Sequence, residues 1–157
     1  MKYWLLKTDP DTFAWKDLEK SAGKKTVWDG VRNYQARNLM RDEMSVSDLG
    51  FFYHSQEEPP AVMGIVRITK TGLADPTQFD RKSKYYDDGS SPENPRWITV
   101  EIGLERALPQ PVPLPVLRET KGLEEMVLLR RGSRLSVQPV TEKEWKIVLK
   151  LGGVTGR

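Results

Sequence analysis

The chain has 157 residues, 38% hydrophobic and 30% charged, with a mean hydropathy of −0.58, the balance of a single globular domain of ordinary size. No cysteine and a single histidine, His54, exclude disulfide frameworks, thiolate zinc sites, cysteine nucleophiles and two-histidine mechanisms. Lysine plus arginine number 25 against 22 acidic residues, a net charge of +3, so attraction for nucleic acid requires basic residues clustered on one face.

No apolar run approaches the ~20 residues of a membrane helix. The apolar stretch at residues 3–6 is too short for a signal peptide, so a cytoplasmic protein is expected. That stretch reads as a first strand, stopped by Thr8-Asp9-Pro10. A short helix is predicted over 14–20. Asn33 can cap a second helix over 34–44, in which Ala36, Leu39, Met40 and Met44 share one face. Arg37 and Arg41 continue a separate polar stripe from Asn33. Residues 49–54 and 61–68 read as strands, the second rich in β-branched residues. Residues 71–95 are polar and turn-rich, and a loop of that length in a compact domain is usually functional or disordered. From 97 to 104 the pattern alternates, with Ile98, Val100, Ile102 and Leu104 on one face and Trp97 on the other. Prolines at 109, 111, 113 and 115 suggest a stiff surface connection. Leu114, Leu117, Leu123, Met126 and Val127 suggest short helical turns, and 134–137 a last strand. Thr141 and Glu144 fit a capping box that opens a final helix burying Trp145, Val148 and Leu149. Short strands interrupted by short helices imply an α+β domain around a mainly antiparallel, curled sheet.

The sequence contains no phosphate-binding GxxxxGK loop, no dinucleotide GxGxxG turn and no G-x-S-x-G elbow. Its carboxylates show no metal-ligand spacing, so neither a metal nor another cofactor is expected. The unusual stretch is Trp28-Asp29-Gly30-Val31-Arg32-Asn33-Tyr34-Gln35-Ala36-Arg37-Asn38, which gathers aromatic, amide and guanidinium groups at the entrance of one helix. Those residue types recognise a nucleobase, because aromatic faces stack on it and amides bond its edge. The plainer alternative is a capped helix with a packed Trp28 and solvated arginines.

This eleven-residue segment closely resembles the signature of the EVE domain family. The resemblance extends to Tyr3-Trp4-Leu5-Leu6-Lys7-Thr8-Asp9-Pro10, Phe51-Phe52-Tyr53-His54-Ser55, Tyr85-Tyr86-Asp87, Arg96-Trp97 and Arg134-Leu135-Ser136-Val137-Gln138-Pro139-Val140, in the family's order over residues 2–150. One departure is Ser47-Asp48, where the family often has Gly-Asp. The resemblance implies a PUA-like curled barrel flanked by helices, in one EVE domain over 1–151 with a flexible tail over 152–157. It also implies non-catalytic binding of DNA or RNA through a modified base, a modified cytosine, unstacked into an aromatic pocket. A monomer is expected.

On that reading Trp28, Trp97 and a loop tyrosine (Tyr85 or Tyr86) sandwich the base beneath a mobile loop. Asn33, Tyr34, Tyr53, His54, Ser55 and Asp87 complete the ligand site. Lys7, Arg32, Arg37 and Arg41 meet phosphates, and Arg130, Arg131 and Arg134 form a solvated turn. The competing class is a small enzyme, similar to ASCH domains, using Lys7, Tyr53, His54 and Asp87 for acid–base chemistry on a nucleoside or amide. A protein-interaction module is the third.

Overall fold

The structure, a computed structural model, describes residues 1–132 and 134–154. Six strands form its sheet: β1 (Tyr3–Thr8), β2 (Lys25–Val27), β3 (Leu49–His54), β4 (Ala61–Ala74), β5 (Ile98–Pro113) and β6 (Val137–Val140), in the spatial order β2-β5-β4-β3-β1-β6. β1 and β3 are parallel, and the other neighbouring pairs are antiparallel. The α+β class and the mainly antiparallel sheet agree with the sequence reading. The closed barrel does not: closure needs the two edge strands to share a ladder. Here the edges are β2, three residues long, and β6, four residues long, and they do not pair with each other.

Both faces of the sheet are covered, because alternate residues of each strand point to opposite sides. Leu5, Phe51 and Tyr53 join one cluster with α4 (Glu142–Leu151), whose Trp145, Val148 and Leu149 are buried. Trp4, Leu6 and Phe52 join the other, with Trp15 and Leu18 of α1 (Trp15–Lys20) and Ala36 of α2 (Tyr34–Asn38). Gly64 on β4 makes room for the Trp15 ring, which occupies the space a β-carbon there would need. β4 and β5 run longer than expected, and four register shifts let the pair bend. Pro109 and Pro111 fall inside β5 between Ala107 and Val112, where the ladder with β4 is interrupted and their missing N–H groups cost nothing.

The capping chemistry is as predicted. Asn33 Oδ1 accepts from the Ala36 N–H at 2.9 Å. In α4, Thr141 Oγ1 accepts from Glu144 N–H at 3.1 Å and Glu144 Oε1 accepts from Thr141 N–H at 3.0 Å. The helix predicted to run to Met44 instead widens at Leu39 into a π turn (Leu39–Glu43), in which Met44 N–H donates to Leu39 O at 3.0 Å. Residues 114–129 form α3 (Leu114–Glu119) and a 3₁₀ turn at Val127–Leu129. The first residues of the expected tail continue from α4, with Gly152 N–H donating to Val148 O at 2.9 Å and Gly153 N–H to Lys150 O at 3.1 Å. Val154 donates to Leu149 O at 2.9 Å and is buried in the core, while residues 155–157 lie outside the described residues.

Candidate functional site

A cavity of about 440 Å³ opens where β1 ends, within the ~300–1,000 Å³ typical of small-molecule sites. It is lined by Lys7, Thr8, Asp9, Thr12 and Phe13, by residues 26–33, and by Tyr85 and Ser136. These stretches meet because the backbone ties them. Lys7 N–H donates to Ser136 O at 2.8 Å, and Trp28 N–H to Val100 O at 2.9 Å. Gly30 adopts φ +81° against the Tyr85 ring, where a β-carbon would lie 2.7 Å from its nearest atom. That conformation and that approach both require glycine.

Trp28 is only 7% exposed and packs edge-on against Phe13 and Phe52, with ring centroids 6.4 and 5.7 Å away. Its backbone carbonyl accepts from the buried Thr99 hydroxyl. Trp28 is therefore a core residue and a cavity wall at once. Asn33 lines the cavity too; its Oδ1 is committed to the helix cap, which leaves the amide N–H₂ for a ligand.

The expected sandwich of Trp28, Trp97 and a tyrosine is not formed. Trp97 does not line the cavity, is 6% exposed, and stacks on Tyr34 with centroids 4.9 Å apart. The gap between Trp97 and Tyr85 is filled by the protein's own Arg32, whose guanidinium lies 5.0 Å and 5.4 Å from the two ring centroids. Nor is Arg32 free for phosphate. Its N–H groups donate to Tyr85 O (2.8 and 3.1 Å), Val31 O (2.9 Å), Thr77 Oγ1 (3.0 Å) and the buried Asp75 carboxylate (3.1 Å), which accounts for all five donors of a guanidinium.

The long polar segment is likewise fastened rather than hung as a lid. Asp75 also accepts from Gly30 N–H at 2.8 Å. The fully buried Gln78 amide donates to Asp75 O and Trp97 O, and accepts from Trp97 N–H and the Ser90 hydroxyl. Asp87 sits outside the cavity. It accepts the Trp97 indole N–H at 2.8 Å and pairs with Arg96 at 2.9 Å. The indole, above all, holds its carboxyl below the usual carboxylate range, and Gly89 and Arg96 act in the same sense. Tyr86 is partly exposed and does not line the cavity, so Tyr85 is the loop tyrosine that does.

Tyr53, His54 and Ser55 are not brought to the cavity either. Tyr53 points into the α4-side core, and burial pushes its hydroxyl up to about 12. His54 Nε2 accepts from Trp15 N–H at 3.0 Å, which places the ring proton on Nδ1, 3.1 Å from Glu57. Ser55 donates to Thr8 O at 3.2 Å, bracing the end of β1. The four residues of an acid–base enzyme thus do not converge: Lys7 is in the cavity, while Tyr53, His54 and Asp87 are elsewhere and engaged. Tyr34 is half exposed, under the Arg37 guanidinium. Arg37 bonds Arg96 O and Asn38, and Arg41 pairs with Asp42. Arg130, Arg131 and Arg134 are exposed and line no part of the cavity.

Sequence reasoning missed Asp29, which lies within the signature, together with Thr8, Asp9, Thr12, Phe13 and Ser136. Asp29 is flanked by Trp28 and Gly30, and its position there was a usable signal. Partial burial pushes the Asp29 carboxyl up, the Asp75 charge adds to this, and Arg32 opposes it. Burial also pulls the Lys7 ammonium down. Among the described residues no group of three or more His, Asp or Glu could hold a metal, and no helix is long and apolar enough to cross a membrane.

Thymocyte nuclear protein 1 of Danio rerio is 41% identical to this chain over 165 residues, spanning 94% of the chain and 71% of that protein. The X-ray crystal structure of a protein from Pseudomonas syringae aligns with a TM-score of 0.89 at 43% identity, covering 96% of this chain and 99% of that one. A crystal structure of human THYN1 protein in complex with 5-methylcytosine-containing DNA aligns with a TM-score of 0.90 at 35% identity, covering 99% and 100%. The EVE domain model matches residues 2–151, and on that match this chain belongs to the EVE domain family.

Proposed function

We propose that this protein binds nucleic acid carrying a modified cytosine, without catalysis, by taking the base into the Lys7–Trp28–Tyr85 cavity. The observation that carries the reading is the near-complete structural match to a human protein crystallised with 5-methylcytosine-containing DNA, joined to a cavity of base-binding size walled by Phe13, Trp28 and Tyr85. A base entering it must leave its stack, which costs a few kcal/mol and least where it is unpaired. Contact with the aromatic walls offsets this at ~1–3 kcal/mol per base. Phosphate contacts fall to Arg81, Lys82 and Lys84, exposed on the turn that leads into Tyr85. None of the three is in an ion pair among the described residues, and Lys84 Nζ lies 5.1 Å from the Tyr85 ring centroid.

The test is fluorescence anisotropy with matched single-stranded and duplex DNA and RNA oligonucleotides, each holding one central 5-methylcytosine or one cytosine. Tighter binding of a methylated strand is the expected result. Equal affinity for both bases in every background would overturn the reading.

A further inference from the structure

Two charged side chains in the cavity have no partner side chain among the described residues. Asp29 lines it, and among the described residues its carboxylate has only its own backbone N–H as a donor, with no hydrogen bond or ion pair from another side chain. Its natural partner, Arg32, is three residues away in sequence but has all its donors turned to Asp75, Thr77 and carbonyls. Lys7 lines the same cavity, half buried, and its ammonium likewise meets no acceptor among the described residues. A charge held partly out of water without a partner is costly, and a ligand of matching polarity relieves it. The shifts of both groups toward their neutral forms are the mark of that cost.

We propose that Asp29 makes this cavity select cytosine-type bases over thymine and uracil, by accepting a hydrogen bond from the exocyclic 4-amino group, while Lys7 donates to the ring's acceptor edge. The proposal rests on the nucleic-acid reading above and names the determinant within it. Cytosine offers an N–H₂ donor at position 4, which a carboxylate accepts; thymine and uracil offer a carbonyl oxygen there. A carboxylate facing that oxygen sets lone pair against lone pair in a partly desolvated space, a mismatch that the 5-methyl group common to 5-methylcytosine and thymine does nothing to relieve. Methyl fit and base identity are therefore read by different parts of the cavity, the first by the aromatic walls and the second by Asp29.

The experiment compares single-stranded oligonucleotides whose central residue is 5-methylcytosine, cytosine, thymine or N4,N4-dimethylcytosine. The wild type is expected to bind 5-methylcytosine about tenfold or more tightly than thymine. The dimethylated base has no N–H to give and should bind no better than thymine. In Asp29→Asn the side chain can also donate, so discrimination should fall to within about threefold, with thymine affinity rising. Lys7→Met should weaken 5-methylcytosine binding without raising thymine binding. Thermal melts show whether each variant is folded, and the dimethylated probe tests the same contact on the unaltered protein. Full discrimination by folded Asp29→Asn overturns the assignment, as does wild-type tolerance of N4,N4-dimethylcytosine. A wild type that does not separate 5-methylcytosine from cytosine removes the modified-base reading instead, which the thymine comparison leaves untouched.

Discussion

Ser47 and Trp28 illustrate what single residues carry here. Ser47 stands where the family often has glycine, and its φ is +80°, in the left-handed region that favours glycine. Only its backbone is used, donating to Ile68 O at 2.8 Å. The turn positions Asp48, whose buried carboxylate accepts from the Trp4 indole and from Lys2 and Ser45 N–H, each at 3.0 Å. Ser47→Gly relieves ~1–2 kcal/mol of left-handed strain against ~0.5–1 kcal/mol of added backbone entropy. A net gain of about 0.5–1 kcal/mol is expected in urea unfolding, and a lowered midpoint would contradict it. Trp28, expected to sandwich the base, is as buried as a core residue. Trp28→Ala should cost ~3–5 kcal/mol, the same range as Trp145→Ala, which loses stacking on Phe51 and Tyr3. Thermal melts of the two variants decide this, and a near-native melting temperature for Trp28→Ala alone would refute it. Binding should therefore be probed at Asp29 and Lys7, where substitution leaves the core intact.

At the scale of elements, the segment from Asp75 to Trp97 behaves as a strapped loop. Gln78 and Asp75 anchor its start, and Asp87 anchors its end to the Trp97 indole and Arg96. The lowered pKa of Asp87 fixes the sign of its linkage. Its contribution is fully present above the ordinary value of 3.8 and disappears as pH falls through the lowered folded value. Acidification below that ordinary value should shift the Trp97 indole N–H resonance before the core melts. Asp87→Asn should remove this pH dependence; an unchanged titration in that variant would assign the effect to another group. The strap also holds Tyr85 against Gly30, so the cavity wall is set by a buried polar network well away from it in sequence.

Over the whole molecule, a net charge of +3 gives little general attraction for a polyanion, so local cations must set the salt response. Three phosphate contacts from Arg81, Lys82 and Lys84 predict that log K falls against log salt with a slope of about −2 on single strands. Changing all three to glutamine should flatten the slope while leaving the preference for 5-methylcytosine over cytosine intact. A slope that survives the triple change would place the phosphate contacts on another surface.

Local rules made much of this protein legible in its sequence. Caps at Asn33 and Thr141, the buried stripe of α4 and the alternation through Val100 and Ile102 depend on neighbours within one or two turns, and they appear as predicted. The signature at residues 28–38 likewise marked the cavity's location. The fates of its polar groups could not be read the same way. Arg32, Arg37, Tyr53, His54, Asp87 and Trp97 are types that bind ligands, but whether they do depends on which acceptors or rings the fold carries to them. Arg32 meets Asp75 and Tyr85 from more than forty positions away, and His54 meets Trp15 across 39. Asp29 is the converse case: Arg32, close by in sequence, is drawn to Asp75 and Tyr85 by the tertiary structure, and the carboxylate is left facing the cavity.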